Sequence, residues 1–201
     1  MPDQYYTRQP QSASRPEELE LDWRGRWLCF TTDSGVFSKG ELDQGTRILL
    51  EALPPLQGEV LDLGCGWGPV GVILAATNPG ARLTMVDVNQ RALQLAEANV
   101  RRNGLDCRVL ESDGFGALAE ERFDAVVTNP PIRTGKAVFY KLLADALEHL
   151  APGGSLYLVI RKQQGAESCQ RFLEETAKVE RIARSGGFWV LRAYLERETE
   201  E

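Results

Sequence analysis

The stretch from Glu59 to Gly71 reads E-V-L-D-L-G-C-G-W-G-P-V-G, and the fold class follows from it. Val60, Leu61 and Leu63 form a short apolar run that ends in glycines. A second apolar segment, Val70, Val72, Ile73, Leu74, Ala75 and Ala76, follows at once. That order spells a buried strand, a tight turn and a helix packed back on a sheet. Gly64, Gly66 and Gly68 let the backbone turn sharply and let a ligand approach the main chain.

Two ligand classes use such a loop. Gly66, Gly68 and Gly71 spell G-x-G-x-x-G, with Asp87 about 20 residues further on, as in a dinucleotide site. Shifted by one glycine, Gly64, Gly66 and Gly68 spell G-x-G-x-G, with Asp62 just inside the strand end. A carboxylate beside a pyrophosphate repels it, whereas S-adenosylmethionine (SAM) carries a sulfonium and an ammonium and no phosphate. Asp62 therefore favours SAM. The stretch D-L-G-C-G-W-G resembles motif I of the class I SAM-dependent methyltransferases. A Gly-rich turn that binds nothing is the remaining reading.

Working outward, strands alternate with helices. Leu19 to Thr32 alternates about Gly25 as a β-hairpin, and an amphipathic helix from about Leu42 to Leu53 stops at Pro54-Pro55. Beyond the loop, Leu83 to Val88 is a strand ending in Asp87, and a helix from Gln90 to Arg102 is capped by Asn89 and closed by Asn103-Gly104. Strands are expected at Arg108 to Glu111, Phe123 to Thr128 and Leu156 to Ile160. Helices are expected at Lys136 to Leu150 and Ala166 to Lys178. Val179 to Ala183 and Phe188 to Leu195, joined by Ser185-Gly186-Gly187, are too close for a crossover helix, so one strand runs antiparallel. The pattern predicts an α/β fold. Its sheet is mainly parallel and seven-stranded, with one antiparallel strand, helices on both faces and an N-terminal β-hairpin extension.

The 201 residues suit one structural domain, divided into an arm and hairpin over 1–41 and a main unit over 42–201. No apolar run approaches the ~20 residues of a membrane span, and no signal-peptide pattern opens the chain. Cys29, Cys65, Cys107 and Cys169 lie far apart with no C-x-x-C pair, which predicts free thiols, a reducing cytoplasmic setting and no metal site. A net charge of −6 argues against nucleic acid. Against that, Arg133, Lys136 and Lys141 follow the fourth main-sheet strand without an intervening acid, and Arg161-Lys162 ends the fifth.

Ligands of such a sheet sit outside the carboxyl ends of its strands. Those ends read Asp62 with Gly64 to Gly68, then Asp87, then Ser112-Asp113, then Asn129-Pro130-Pro131-Ile132. Asp87 suits the two ribose hydroxyls and Asp113 the adenine amine, because a carboxylate offers paired acceptors. Cys65, Val88, Ser112 and Asn129 complete the expected cofactor-binding set. The lone His149 is expected at a helix end or surface, Trp67 against the cofactor side of the loop, and Trp189 in the core.

F-D-A-V-V-T-N-P-P-I, Phe123 to Ile132, resembles motif IV of the amino-methyltransferases, whose N-P-P or D-P-P tetrad grips a planar nitrogen. Such a nitrogen is a poor nucleophile because its lone pair is delocalised. Accepting both N–H bonds at Asn129 Oδ1 and the Pro130 carbonyl would aim that lone pair at the methyl group. Pro130 and Pro131 stiffen the backbone.

G-V-F-S at Gly35 to Ser38, L-D-x-G-T at Leu42 to Thr46, V-D-V-N at Val86 to Asn89, N-G-L at Asn103 to Leu105 and N-P-P-I at Asn129 to Ile132 occur together with the loop. The set resembles the RsmC-type small-subunit ribosomal RNA guanine-N2 methyltransferases over nearly the whole chain. The resemblance implies a Rossmann-like SAM methyltransferase fold, SAM as cofactor and RNA as partner, from a monomer or weak homodimer. It also implies that Asn129, Pro130 and Pro131 are catalytic, and that Phe37, Lys39, Ile132, Arg133 and Lys136 meet the substrate. Full-length members carry a duplicated N-terminal half, where this chain has an arm and a hairpin. The fourth tetrad position is Ile132, where adenine-N6 and glutamine-N5 enzymes use an aromatic residue, leaving Phe37 and Tyr140 to stack on a base. Those two activities and a non-catalytic SAM-binding module are the alternatives.

Overall fold

Leu61 and Asp62 of strand β3 (Gly58–Leu63) pair with Thr84 and Met85 on one side and with Val126 and Val127 on the other. The glycine-loop strand is thus central to the sheet. The computed structural model describes residues 13–36, 40–132 and 135–196. Across the sheet the order is β5 (Arg108–Glu111), β4 (Ala81–Asp87), β3, β6 (Phe123–Thr128), β7 (Leu150–Arg161), β9 (Phe188–Tyr194) and β8 (Lys178–Ser185). β9 runs antiparallel to both neighbours, and the remaining pairings are parallel. This is the seven-stranded, Rossmann-like methyltransferase topology that the motifs imply.

Period-two alternation sorts each strand between two apolar layers. Val60, Met85, Val127, Val159 and Val190 face one layer, which holds helices α1 (Gln44–Ala52), α2 (Pro69–Thr77) and α3 (Gln90–Arg102). Leu61, Leu63, Val126, Leu158 and Leu191 face the other, packed by α4 (Lys136–Glu148) and α5 (Ala166–Glu174). α2 is apolar all round because it is covered on every side, and Pro69 starts it behind Gly68, which takes φ +91°.

The N-terminal hairpin is β1 (Glu17–Trp23) with β2 (Arg26–Thr32), turned by Arg24 and Gly25, both at positive φ. The second edge of β2 is closed by side chains. Asn99 accepts from Thr31 N–H at 2.7 Å and donates to Thr31 O at 3.0 Å; Asn103 does the same for Cys29 at 2.9 and 2.8 Å. Two asparagines one turn apart, Asn99 on α3 and Asn103 at its C-cap, thus act as a surrogate strand, satisfying an edge that would otherwise be open. Phe30 packs edge-on against Trp67 at 5.2 Å between ring centres, so Trp67 is a hairpin anchor and not cofactor-side packing.

The largest shifts of element boundary are in β7 and α5. β7 begins at Leu150, six residues before the expected start at Leu156, and continues through Gly153-Gly154. A side-chain carbon at Gly154 would lie 2.6 Å from Phe123 O, so glycine admits the close approach of β6 there. α5 ends at Glu174, four residues before the predicted end at Lys178, which already belongs to β8. Among the described residues no helix is long and apolar enough to cross a membrane, and the four cysteines are free.

Candidate active site

The loop between β3 and α2 is held from below. Gly64 N–H and Cys65 N–H both donate to Val86 O, at 2.9 and 2.8 Å, and Gly68 N–H closes a turn onto Cys65 O at 3.0 Å. The glycines divide into two kinds. A side-chain carbon on Gly64 or Gly66 would meet nothing within 4 Å, so both face an open crevice; they sit at φ +77° and +56°. At Gly68 the same carbon would lie 2.9 Å from Met85 Cε, and at Gly71 2.5 Å from Met85 Sδ. Gly68 therefore shapes the loop against the core and does not line the crevice.

The acids beside the loop differ in the same way. Asp62 is only 2% exposed and accepts Gly71 N–H at 2.8 Å, fastening the first turn of α2 to the sheet. Burial pushes its carboxyl up to about 7; the Gly71 N–H opposes the shift and the Asp87 charge adds to it. Asp87 is half-buried at the end of β4, accepting Gly66 N–H at 2.8 Å and Asn89 N–H at 2.9 Å. Its carboxyl is also raised by burial, with the N–H donors of Asn89, Gly66 and Val88 opposing. Burial holds the Cys65 thiol well above its ordinary value. Val88 is half-buried beside Asp87.

At the next strand end the Ser112 hydroxyl is used within its own turn, donating to Gly114 O at 2.8 Å and accepting Ala117 N–H at 3.1 Å. The Asp113 side chain is exposed. The segment ahead of α1 reaches this side of the crevice: Asn89 donates to Gly35 O at 3.0 Å and Arg91 to Ser34 O at 2.8 Å. Phe37 and Lys39 lie outside the described residues, as does Arg133.

Asn129 follows β6 directly. The register sets Val127 opposite Asp62, and Thr128 Oγ1 donates to Leu63 O at 2.8 Å, so Asn129 emerges next to Gly64. Its Nδ2 donates to Thr46 Oγ1 at 3.0 Å and to Asp43 Oδ2 at 3.3 Å. Asp43 is the N-cap of α1, accepting Gly45 N–H at 2.9 Å and Thr46 N–H at 3.3 Å. Pro130 is buried and Pro131 half-buried; Ile132 packs on the α4–α5 layer. Asp43 and Thr46 are the neighbours whose role the sequence reading missed, although the L-D-x-G-T stretch was the available signal.

Other candidates are placed elsewhere. Tyr140 is half-buried and its ring packs between α4 and α5 against Phe139 and Phe172, at 5.2 and 4.6 Å. His149 caps α4, with Nδ1 bonded to Asp145 O at 2.7 Å and its ring stacked on Phe115. Lys136 is exposed at the start of α4, Lys141 pairs with Asp145, and Lys162 lies 3.8 Å from Glu167. Arg161 stacks over Phe188 at 4.6 Å. Phe188 in turn lies close to Gly45, where an added side-chain carbon would meet it at 2.9 Å. Arg161 is therefore held near the start of α1.

These residues fit SAM. Two glycines leave the main chain open at the crevice, and the Asp87 carboxylate at the adjacent strand end suits hydroxyl donors and a cation better than a pyrophosphate. Asp62, expected among the cofactor-binding residues, is instead buried beneath the loop on Gly71 N–H. Among the described residues no group of three metal-ligating side chains occurs.

Comparisons with known proteins agree with the geometry. The family model described as "Methyltransferase small domain" matches residues 27–192. The chain is 37% identical over 198 residues to the uncharacterized protein YbxB of Bacillus subtilis, covering 96% of this chain and 98% of that protein. It is 42% identical over 160 residues to the ribosomal RNA small subunit methyltransferase C of Aeromonas hydrophila, covering 73% of this chain and 46% of that one. Among solved structures, the T. thermophilus 16S rRNA N2 G1207 methyltransferase (RsmC), in complex with AdoMet and guanosine, superposes with a TM-score of 0.81 at 30% identity. That match covers 93% of this chain and 52% of the other. The chain thus spans about half the length of the rRNA methyltransferases it matches.

Proposed function

The chain belongs to the methyltransferase small domain family, and from that premise we propose that it transfers a methyl group from SAM to the exocyclic N2 of a guanine in small-subunit ribosomal RNA. The observation that carries the reading is the adjacency of Asn129 to the glycine loop. Neighbouring strands β4, β3 and β6 present Asp87, Gly64 with Gly66, and Asn129-Pro130 side by side at their carboxyl ends.

SAM, when bound, supplies an electrophilic methyl group on a sulfonium. The chain's part is binding, orientation and charge. Asp87 would take the ribose hydroxyls and Asp113 the adenine amine, while Gly64 and Gly66 admit the cofactor against bare backbone. Asn129 Oδ1 and the Pro130 carbonyl would accept the two N–H bonds of the target amine. That turns the nitrogen lone pair out of conjugation and toward the methyl. As the N–C bond forms and the methyl's bond to sulfur breaks, leaving a neutral thioether, the nitrogen would become cationic, its protons would strengthen as donors, and one of them would leave to solvent. A preorganised acceptor is worth most at that moment. Relatives named for guanine-N2 and small-subunit rRNA methylation support the substrate.

Mass spectrometry of ribosomal RNA nucleosides from a strain lacking the gene tests this reading. Loss of one N2-methylguanosine, restored by the parent protein and not by Asn129→Ala, is the expected result. An unchanged nucleoside profile, or restoration by Asn129→Ala, overturns it.

A further inference from the structure

Resting on the amine-clamp reading of Asn129, we infer that Asp43 and Thr46 are positioning residues that set the polarity of that clamp. Asn129 can serve a target amine only if Oδ1, the acceptor end of its amide, faces the substrate. A free asparagine side chain turns either end outward. Here one end is fixed by chemistry. Asp43 is a carboxylate and can only accept, and its Oδ2 lies 3.3 Å from Asn129 Nδ2. Thr46 Oγ1 spends its single proton on Asp43 Oδ2, so the face it turns to Asn129, at 3.0 Å, is a lone pair. Two acceptors meet the amide at the same end, and only the NH2 end can sit there.

The same carboxylate does a second job. It accepts Gly45 N–H and Thr46 N–H as the cap of α1, which fixes its position. Thr46 is buried, and Gly45 lets the turn pack against Phe188. The start of α1 is therefore a rigid block with its acceptors aimed at β6, and L-D-x-G-T is its sequence signature.

Asp43→Asn separates the two jobs. Asparagine is as good a cap as aspartate, so α1 keeps its start. Its amide nitrogen, however, puts a donor against the donor of Asn129. The relaxed arrangement reverses Asn129, turning NH2 toward the substrate, where it repels the target amine. Thr46→Val removes the second acceptor at nearly constant volume, and Thr46→Ser restores it.

The test combines single-turnover methyl transfer to small-subunit rRNA from a strain lacking the gene, SAM titration, thermal melting, and NMR of the Asn129 side-chain amide. Asp43→Asn is expected to lower kcat by about 10- to 100-fold, the scale of a charge-assisted hydrogen bond. SAM affinity should stay within about threefold and the melting temperature should hold. Thr46→Val should lose less than Asp43→Asn, with Thr46→Ser near the parent. In an Asn129→Ala background Asp43→Asn should cost nothing further. In the parent, the Asn129 amide protons should show cross-relaxation to Thr46, and Asp43→Asn should abolish it. If Asp43→Asn keeps full kcat while Asn129→Ala does not, the positioning role fails and the clamp survives. If Asn129→Ala is itself fully active, the clamp reading fails. Losses in kcat that merely follow losses in melting temperature, or Asn129 amide signals unmoved by Asp43→Asn, also overturn the inference.

Discussion

The Asp62 carboxylate accepts the Gly71 backbone N–H at 2.8 Å from beneath the glycine loop, so the acid that distinguishes the two loop motifs is a fastener of α2. It is buried, and its partner is a main-chain donor with no charge of its own. The first consequence is a pH dependence. Burial pushes the Asp62 carboxyl from its ordinary 3.8 up to about 7. The native state therefore holds a proton that the unfolded chain releases. Stability from this group is full below about 4 and is lost as pH rises through about 7. Asp62→Asn keeps an acceptor for Gly71 and removes the titration. Relative to the parent, the variant should gain up to about 1.4 kcal/mol per pH unit between pH 4 and 7, then nothing above pH 8. Denaturant unfolding across that range checks it; identical pH profiles would show that Asp62 does not titrate there.

Asp87 is a different case, because its half-buried carboxylate still reaches the crevice while bonded to Gly66 and Asn89. Removing it takes away a hydroxyl acceptor and frees the loop at Gly66. Charged hydrogen bonds are worth roughly 1.5–3 kcal/mol, so Asp87→Ala should weaken SAM binding by about 10- to 100-fold. Calorimetric titration measures this directly. An unchanged dissociation constant would put Asp87 outside the cofactor site.

The sheet, its single antiparallel strand and the capped helix from Gln90 to Arg102 were legible because each rests on local pattern: period two, period 3.6, Asn at the start, Asn-Gly at the end. The division of labour among the glycines was not. Gly64 and Gly68 look alike in sequence, yet one faces open space and the other faces Met85 and Ala96, a contact made by residues far along the chain. Asn99 gave no local signal either, since bonding to Thr31 depends on where the hairpin lands. Asn129 was singled out from N-P-P, but its partners Asp43 and Thr46 lie more than eighty residues away and meet it only because the start of α1, a helix packed on β7 and β9, lies beside the residue that follows β6. The residues at the strand ends were readable from the sequence; the side chains that bond to them were not.

The proposed RNA-binding rim rests on two exposed cations on the same side as the strand ends. Lys136 opens α4, and Arg161 ends β7 braced on Phe188. Lys162 is drawn toward Glu167 and is a poorer candidate. Replacing Lys136 and Arg161 together by Gln should weaken RNA binding evenly across sequences. It should also flatten the salt dependence by about one to two units of slope, leaving SAM affinity unchanged. Filter binding at several salt concentrations reads the slope. A slope equal to the parent's would make both residues ordinary solvated charges.

The polarity of the clamp makes a last prediction, about aspartate at position 129. D-P-P is chemically competent in amino-methyltransferases, since a carboxylate accepts N–H bonds at least as well as an amide does. In this chain the neighbour decides otherwise. Asn129 Nδ2 lies 3.3 Å from Asp43 Oδ2 and 3.0 Å from Thr46 Oγ1, so Asn129→Asp sets an acceptor against two acceptors. Two carboxylates this close cannot both ionise without cost, and one takes up a proton or swings away. Asn129→Asp alone should therefore lose activity about as far as Asn129→Ala, on the order of 10²–10³ in kcat. Adding Asp43→Asn places an amide donor opposite the new carboxylate, keeps the α1 cap and leaves the second oxygen of residue 129 for the target amine. The double variant should recover at least about tenfold over Asn129→Asp, although each change alone is harmful. Single-turnover rates of the four proteins decide it. A double variant no faster than Asn129→Asp would mean that Asp43 does not govern residue 129.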